Sequence, residues 1–178
     1  MKKIFLLIMI AIVFMITSGI ANATLITNGS FEEPLVTDND GTWELISSSD
    51  ILNYGWANAD NTELQTEDLF GPAADGAQYV ELDSNSGDGN DWLVQTFSTV
   101  MNQVYSFTFA HSPREDVENN TLNAGIVSYS GGTHWLSFDT LSADGTGLTG
   151  TDWTYYAYSF TADTTEATIA FQDAGPDD

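Results

Sequence analysis

Apolar residues recur at every second position along much of the chain. In residues 103–110, Tyr105, Phe107 and Phe109 fall on one face while Ser106, Thr108 and Ala110 fall on the other. Residues 152–161 repeat the pattern with Tyr156, Tyr158 and Phe160, and residues 166–172 with Ala167, Ile169 and Phe171. A period of two is that of a strand with one buried face. Further strands are predicted at 25–31, 43–47, 63–66, 77–83, 92–98, 122–130 and 135–138, with clusters of Gly, Asn, Asp and Ser between them as turns. No segment beyond residue 23 carries a helical period. Many short strands joined by turns predict an all-β, antiparallel β-sandwich or jelly roll. Without a fixed repeat or a Pro-rich linker, residues 24–178 read as one domain.

The first 23 residues follow another pattern. Met1-Lys2-Lys3 is basic, residues 4–16 are an unbroken apolar run, and Ala21-Asn22-Ala23 places small residues where a signal peptidase cuts. This predicts a secretory signal peptide over 1–23. The alternative is an uncleaved anchor, but the run is shorter than the roughly 20 residues of a spanning helix. No second apolar stretch follows, so the expectation is a soluble extracellular or cell-surface protein without membrane insertion.

Charge narrows the choice of partner. The chain has 26 Asp and Glu against three Lys and Arg, a formal charge of −23. Loss of Lys2 and Lys3 would leave Arg114 as the one cation and a charge of about −25. Phosphate recognition rests on Lys and Arg, so no nucleic-acid partner is expected. The acids are scattered rather than blocked, which argues against an acidic tail. Self-repulsion of this size is relieved by bound cations or by a saline medium. With no Cys, disulfides, thiol catalysis and Cys-ligated zinc are excluded, and an aromatic content of 12% speaks for a packed core.

A family resemblance rests on the opening Leu25-Ile26-Thr27-Asn28-Gly29-Ser30-Phe31-Glu32 with Pro34, then Trp56, Gly76-Ala77-Gln78-Tyr79-Val80-Glu81-Leu82 and Gln95-Thr96-Phe97. It continues through Tyr105-Ser106-Phe107, Ser112-Pro113-Arg114, Trp153 with 156–160, and Phe171-Gln172-Asp173. The chain resembles the galactose-binding-domain-like jelly rolls. Among them it looks most like the secreted family of unknown function found in plant cell walls and bacterial exoproteins, related in shape to carbohydrate-binding modules. The resemblance implies a structural calcium, with Glu32 at the acidic position that begins the metal site and Asp173 as a second ligand. Family members usually continue past Gly175 into a last strand that this sequence lacks. That implies a shortened sequence or a sheet with an exposed edge, which is a pairing liability.

Catalytic patterns are weak. Asp38 to Gly41 and Asp83 to Asp91 look like calcium loops, but neither has the EF-hand's ligand positions, and both read as solvated turns. His111 and His134 have no metal-ligand spacing, and neither a G-x-S-x-G elbow nor a P-loop occurs. Carboxylate pairs for glycoside hydrolysis depend on a geometry that spacing does not supply. No enzymatic activity is expected.

Binding is better motivated. Trp43, Trp56, Trp92 and Trp135 lie in or beside segments rich in Asn, Asp, Ser and Gly, where a ring could stack on a sugar and neighbouring amides could bond its hydroxyls. Each could equally pack in the core, and Trp153, at a strand start, reads as core. Arg114 could clamp a uronic-acid carboxylate or form an internal ion pair. The ligand-binding candidates are Trp92, Trp135, Trp43 and Arg114; the metal candidates are Glu32 and Asp173. The expected function is a secreted, non-catalytic module for an extracellular polysaccharide or cell-wall glycan, stabilised by Ca²⁺. The alternative is a structural or adhesive surface protein with no sugar ligand.

Overall fold

The computed structural model describes residues 25–58, 61–82, 92–128 and 134–175. The signal-peptide reading of 1–23 and the acidic loop 83–91 lie outside the described residues. Among the described residues, ten strands build an antiparallel β-sandwich. They are β1 (Trp43–Ile46), β2 (Ala57–Asn58), β3 (Thr62–Thr66), β4 (Gln78–Glu81), β5 (Trp92–Ser98), β6 (Val104–His111), β7 (Asn120–Ser128), β8 (His134–Ala143), β9 (Thr154–Thr161) and β10 (Glu166–Asp173). One layer is a five-stranded sheet in the order β2-β5-β10-β7-β8. The other is in two pieces, β1-β3-β4 and β6-β9. Two single helical turns, α1 (Ser48–Ile51) and α2 (Glu67–Phe70), follow β1 and β3.

The alternation predicted for β6, β9 and β10 sets their faces. Phe107 pairs with Tyr158, Tyr105 with Phe160 and Phe109 with Tyr156, so one face of the β6-β9 ribbon is a ladder of rings. Ile169 and Phe171 on β10, Leu93 on β5 and Ile126 on β7 face them. Leu64, Ile46, Ile51 and Trp56 complete the buried core. Trp56 donates its Nε1–H to the Asn28 carbonyl at 3.0 Å, which satisfies the indole and makes this ring structural.

One expectation needs correction. Residues 25–31 form turns rather than a strand, because Asn28 and Phe31 take positive φ (49° and 59°) around the Asn28-Gly29 turn. Two buried glutamines serve as the partners a neighbouring strand would have been. Gln95 accepts from the Thr27 N–H (2.7 Å) and donates to the Thr27 carbonyl (2.9 Å). Gln78 accepts from the Val36 N–H (2.8 Å) and donates to the carbonyls of Phe31 (2.7 Å) and Pro34 (2.9 Å). Strand β10 lies in the middle of its sheet, paired with β5 on one side and β7 on the other.

The split in the second layer matters most. Between the segment that leads into β4 and the start of β9 the links are one backbone hydrogen bond, from the Thr151 N–H to the Phe70 carbonyl (3.0 Å), and several from side chains to backbone. Trp153 Nε1 and Thr151 Oγ1 donate to the Pro72 carbonyl (2.7 and 2.8 Å), and Tyr155 Oη donates to the Ala74 carbonyl (3.1 Å). The Tyr79 and Trp153 rings meet edge to face, 5.5 Å apart.

Candidate functional site

Towards one end of the sandwich the inward-facing positions change from apolar to polar. On β6 the series runs Phe107, Phe109, His111; on β10 it runs Ile169, Phe171, Asp173; on β7 it runs Ile126, Ala124, Leu122, Asn120. A cavity of about 800 Å³ lies here, within the range of small-molecule sites. Its lining includes buried Leu93, Ile169 and Tyr79, half-buried Phe107, Phe109, Phe171 and Trp153, and the Glu81–Arg114 pair. The rings of β6 and β9 are only half-buried, as expected where two layers do not close on each other.

The mouth is organised by β3, β4 and the loop after β6. Strand register places Trp43, Gln65 and Tyr79 side by side on one face of β1-β3-β4, with Leu45, Glu63 and Glu81 as the next row. Gln65, buried, donates its amide to Glu63 (2.9 Å) and Glu81 (2.6 Å). The second carboxylate oxygen of Glu81 receives Arg114 at 2.6 Å. Of the two readings of Arg114, the internal ion pair is the one formed. The guanidinium is 44% exposed, so the pair contributes about 1 kcal/mol at most.

Arg114 is positioned by its backbone. Its N–H donates to Asn120 Oδ1 (2.9 Å), and Asn120 Nδ2 donates to the Val117 carbonyl (2.8 Å). Gly145 seals the loop by donating to the Val117 carbonyl and accepting from the Asp116 N–H. A Cβ on Gly145 would stand 1.8 Å from the Arg114 carbonyl oxygen, so only glycine permits this approach.

Two buried polar atoms on the cavity lining have no hydrogen-bond partner, Tyr79 Oη and His111 Nδ1. The Phe70 backbone lies near the Tyr79 hydroxyl but outside hydrogen-bond geometry. Burial pushes the Tyr79 pKa up and the His111 pKa down, in each case disfavouring the charged form. Both groups are therefore neutral near pH 7, and both can exchange hydrogen bonds with an uncharged ligand.

The sequence candidates separate into two places. Arg114 is on the cavity lining, whereas Trp43 is not: it shares the Gln65–Tyr79 face of the sheet, opposite the core-facing Ile46, Leu64 and Val80. Trp92 and Trp135 lie on the outer face of the five-stranded sheet, with ring centroids 4.9 Å apart, half-buried over Val94, Val127 and Ala170. Trp135 also packs on Phe138 at 4.8 Å, and its Nε1 donates to Gln172 Oε1 at 3.3 Å. These rings cover one another. Trp153, read as core, is half-buried at the cavity mouth, because its indole N–H is drawn to the Pro72 carbonyl across the split. Tyr79, Glu81, Gln65 and His111 escaped the sequence reading. Its usable signal was a polar residue closing an aromatic alternation, Phe107-x-Phe109-x-His111.

The metal candidates are not assembled. Glu32 Oε1 accepts from the N–H groups of Ala77 (2.9 Å) and Gln78 (3.1 Å), and a Cβ on Gly76 would stand 2.2 Å from that oxygen. Glu32 thus staples the start of β4. Asp173 ends β10, where its Oδ1 accepts from the Gly175 N–H. Calcium takes six to eight oxygens. Among the described residues, no group of three or more His, Asp or Glu stands together as a metal site.

An antiparallel jelly roll with a ring-lined cleft between its layers defines the class of fold. The chain belongs to the family described as protein of unknown function (DUF642), whose model matches residues 24–178. No curated protein matches it. Among solved structures it is similar to TmCBM61 in complex with beta-1,4-galactotriose, at 15% identity and a TM-score of 0.47 over 86% of this chain and 88% of that one. It is also similar to a CBM4 carbohydrate-binding module, at 16% identity and a TM-score of 0.41 over 85% and 97% of the two chains. An arabinose-bound MgGH51 α-L-arabinofuranosidase matches at 15% identity and a TM-score of 0.49, over 84% of this chain and 23% of that one.

Proposed function

We propose that the protein is a secreted, non-catalytic glycan-binding module whose site is the mouth of the interlayer cleft. One observation carries the reading: the half-buried Trp153 ring, backed edge-on by buried Tyr79, stands with the Gln65–Glu81–Arg114 network on the lining of the same cavity. Rings offer apolar area to the C–H face of a sugar, and fixed amide, carboxylate and guanidinium groups bond its hydroxyls. Glu81 already neutralises Arg114 and Glu63 lies in the same row, so the site favours a neutral glycan over a polyuronate. Glu63 and Glu81 share one amide donor, and Glu81 also holds Arg114; both act as positioning groups.

The test is calorimetric titration with neutral cell-wall oligosaccharides, with polygalacturonate as the acidic comparison. Neutral sugars should bind, and Trp153→Ala should abolish binding while the far-UV spectrum stays β-type. Silence across the neutral panel, or binding that survives Trp153→Ala, would sink the proposal and favour a structural surface role. Secretion rests on the pattern of residues 1–23, and N-terminal sequencing of exported protein should begin at Thr24.

A further inference from the structure

The face that carries the Gln65–Glu81–Arg114 network continues past the cavity, across β3 and on to β1. We infer that the bound glycan is an internal stretch of a linear, neutral polysaccharide, laid across the outer face of β1-β3-β4 between Trp153 and Trp43, rather than a single sugar or a chain end. This rests on the glycan reading of Trp153 and its neighbours, and it adds Trp43, Leu45 and Glu63 to the contact surface.

Three observations support it. First, register lines up the face. Trp43, Gln65 and Tyr79 are successive Cα partners across β1, β3 and β4, and Leu45, Glu63 and Glu81 form the adjoining row. Neighbouring strands lie about 4.8 Å apart, so Trp43 and Tyr79 are separated by about 10 Å of sheet. Tyr79 in turn meets Trp153, with 5.5 Å between ring centroids. One pyranose ring is too short to touch both indoles, whereas a linked chain of them reaches from one to the other.

Secondly, the residues that keep exposed surface on this face are the ones a sugar chain needs. Gln65 and Tyr79 are buried, Trp43, Glu63 and Trp153 are half-buried, and Leu45 and Arg114 are 42% and 44% exposed. Among the described residues Trp43 pairs with no other aromatic ring, whereas Trp92 and Trp135 cover one another. Two indoles can therefore stack on the C–H faces of separate sugars, while the Glu63–Glu81–Arg114 row bonds hydroxyls along the way. Thirdly, β1 is the outermost strand of the three, and Leu45 follows Trp43 along it on the same face. A chain crossing β1 leaves the protein over an open strand instead of ending in a pocket, which is recognition of a chain interior.

The experiment is calorimetric titration of the full mature chain with neutral glucans, galactans, xylans and mannans, each as monosaccharide, disaccharide and hexasaccharide, with gel retardation in the intact polymers. For the sugar that binds, the hexasaccharide should bind about tenfold or more tightly than the disaccharide, and the intact polymer should retard the protein. Trp43→Ala should bring the hexasaccharide down to the affinity of the disaccharide. Leu45→Asp, at an exposed position, is the second variant and should act in the same direction; melting curves check both for folding. Equal affinity for disaccharide and hexasaccharide, or a hexasaccharide that ignores both variants, overturns the extended face and leaves a glycan module confined to Trp153 standing. Silence of the whole panel, or binding untouched by Trp153→Ala, overturns both.

Discussion

The Trp92–Trp135 pair offers a direct test of whether an aromatic cluster on this protein is a platform or packing. Trp135→Ala removes two ring contacts, at 4.9 Å to Trp92 and 4.8 Å to Phe138, and a hydrogen bond to Gln172. Each ring pair contributes about 1 kcal/mol beyond area, and a net hydrogen bond about 1 kcal/mol. Loss of the half-buried ring's remaining contact area adds about 1 kcal/mol. The expected cost is therefore about 4 kcal/mol, a large share of the roughly 5–15 kcal/mol that stabilises a typical domain. Trp92→Ala should cost about 2 kcal/mol by the same reasoning. Because the two rings touch, the losses should not add, and the double variant should be about 1 kcal/mol more stable than the sum of the singles implies. Urea unfolding of the four proteins, analysed at constant m-value, gives all three quantities. Single costs below about 0.5 kcal/mol and zero coupling would refute the packing account and return both rings to the list of sugar platforms.

The remaining predictions concern the cleft and its supports. Burial lowers the His111 pKa in the folded state, so the unfolded chain takes up this proton first. Stability from His111 is full above about pH 6.5 and falls as the pH drops below it, and His111→Gln should flatten that part of the wild-type curve; identical slopes would refute the assignment. Gly145→Ala should cost about 2 kcal/mol, since backbone must move to admit the Cβ, with the melting temperature as readout and an unchanged value as the refutation. Gln78→Ala leaves one N–H and two carbonyls of the 31–36 segment without partners and should cost about 3 kcal/mol, with proteolysis beginning in that segment. Calcium and magnesium at equal ionic strength should raise the melting temperature alike, through screening of the −23 charge; a gain specific to calcium that Glu32→Gln abolishes would restore the metal site.

What could be read from sequence was what alternation encodes. Strand β5 occupies 92–98 as expected, and β9 and β10 lie within a residue or two of their predicted ends, because Tyr156, Tyr158 and Phe160 on β9 and Ala167, Ile169 and Phe171 on β10 keep the period of two. Strand β8 runs on to Ala143, beyond the predicted 138, since an edge strand with exposed Leu136 and Phe138 carries little inside–outside contrast. Strand β2 has two residues, too few for any period. At 25–31 the apolar start suggested a strand, while the Asn-Gly turn and two distant glutamine side chains decided the matter. The site was harder still. Arg114 meets Glu81 across 33 positions and Gln65 meets Glu81 across 16, distances set by register and by the split layer. Local surroundings single out Trp43 and the scarcity of cations singles out Arg114, but only the pairing of β1 with β3 and of β3 with β4 puts Trp43 in one row with Tyr79.

The divided second layer also bears on how fast anything can enter. Parting two strands of a continuous sheet means breaking a ladder cooperatively, whereas the segment leading into β4 and the start of β9 are joined through one backbone hydrogen bond from Thr151 to Phe70, the indole of Trp153, the hydroxyls of Thr151 and Tyr155, and one ring contact. The side-chain links can let go singly, by rotations on the nanosecond scale, which leaves a single backbone bond to break. The two half-sheets can thus part briefly while their own ladders stay intact. Backbone amides along this line should exchange with solvent by local opening, far faster than those of β10 between its two neighbours. A bound molecule that bridges the line would slow exchange on both sides of it at once, so the protection pattern would trace the path of entry.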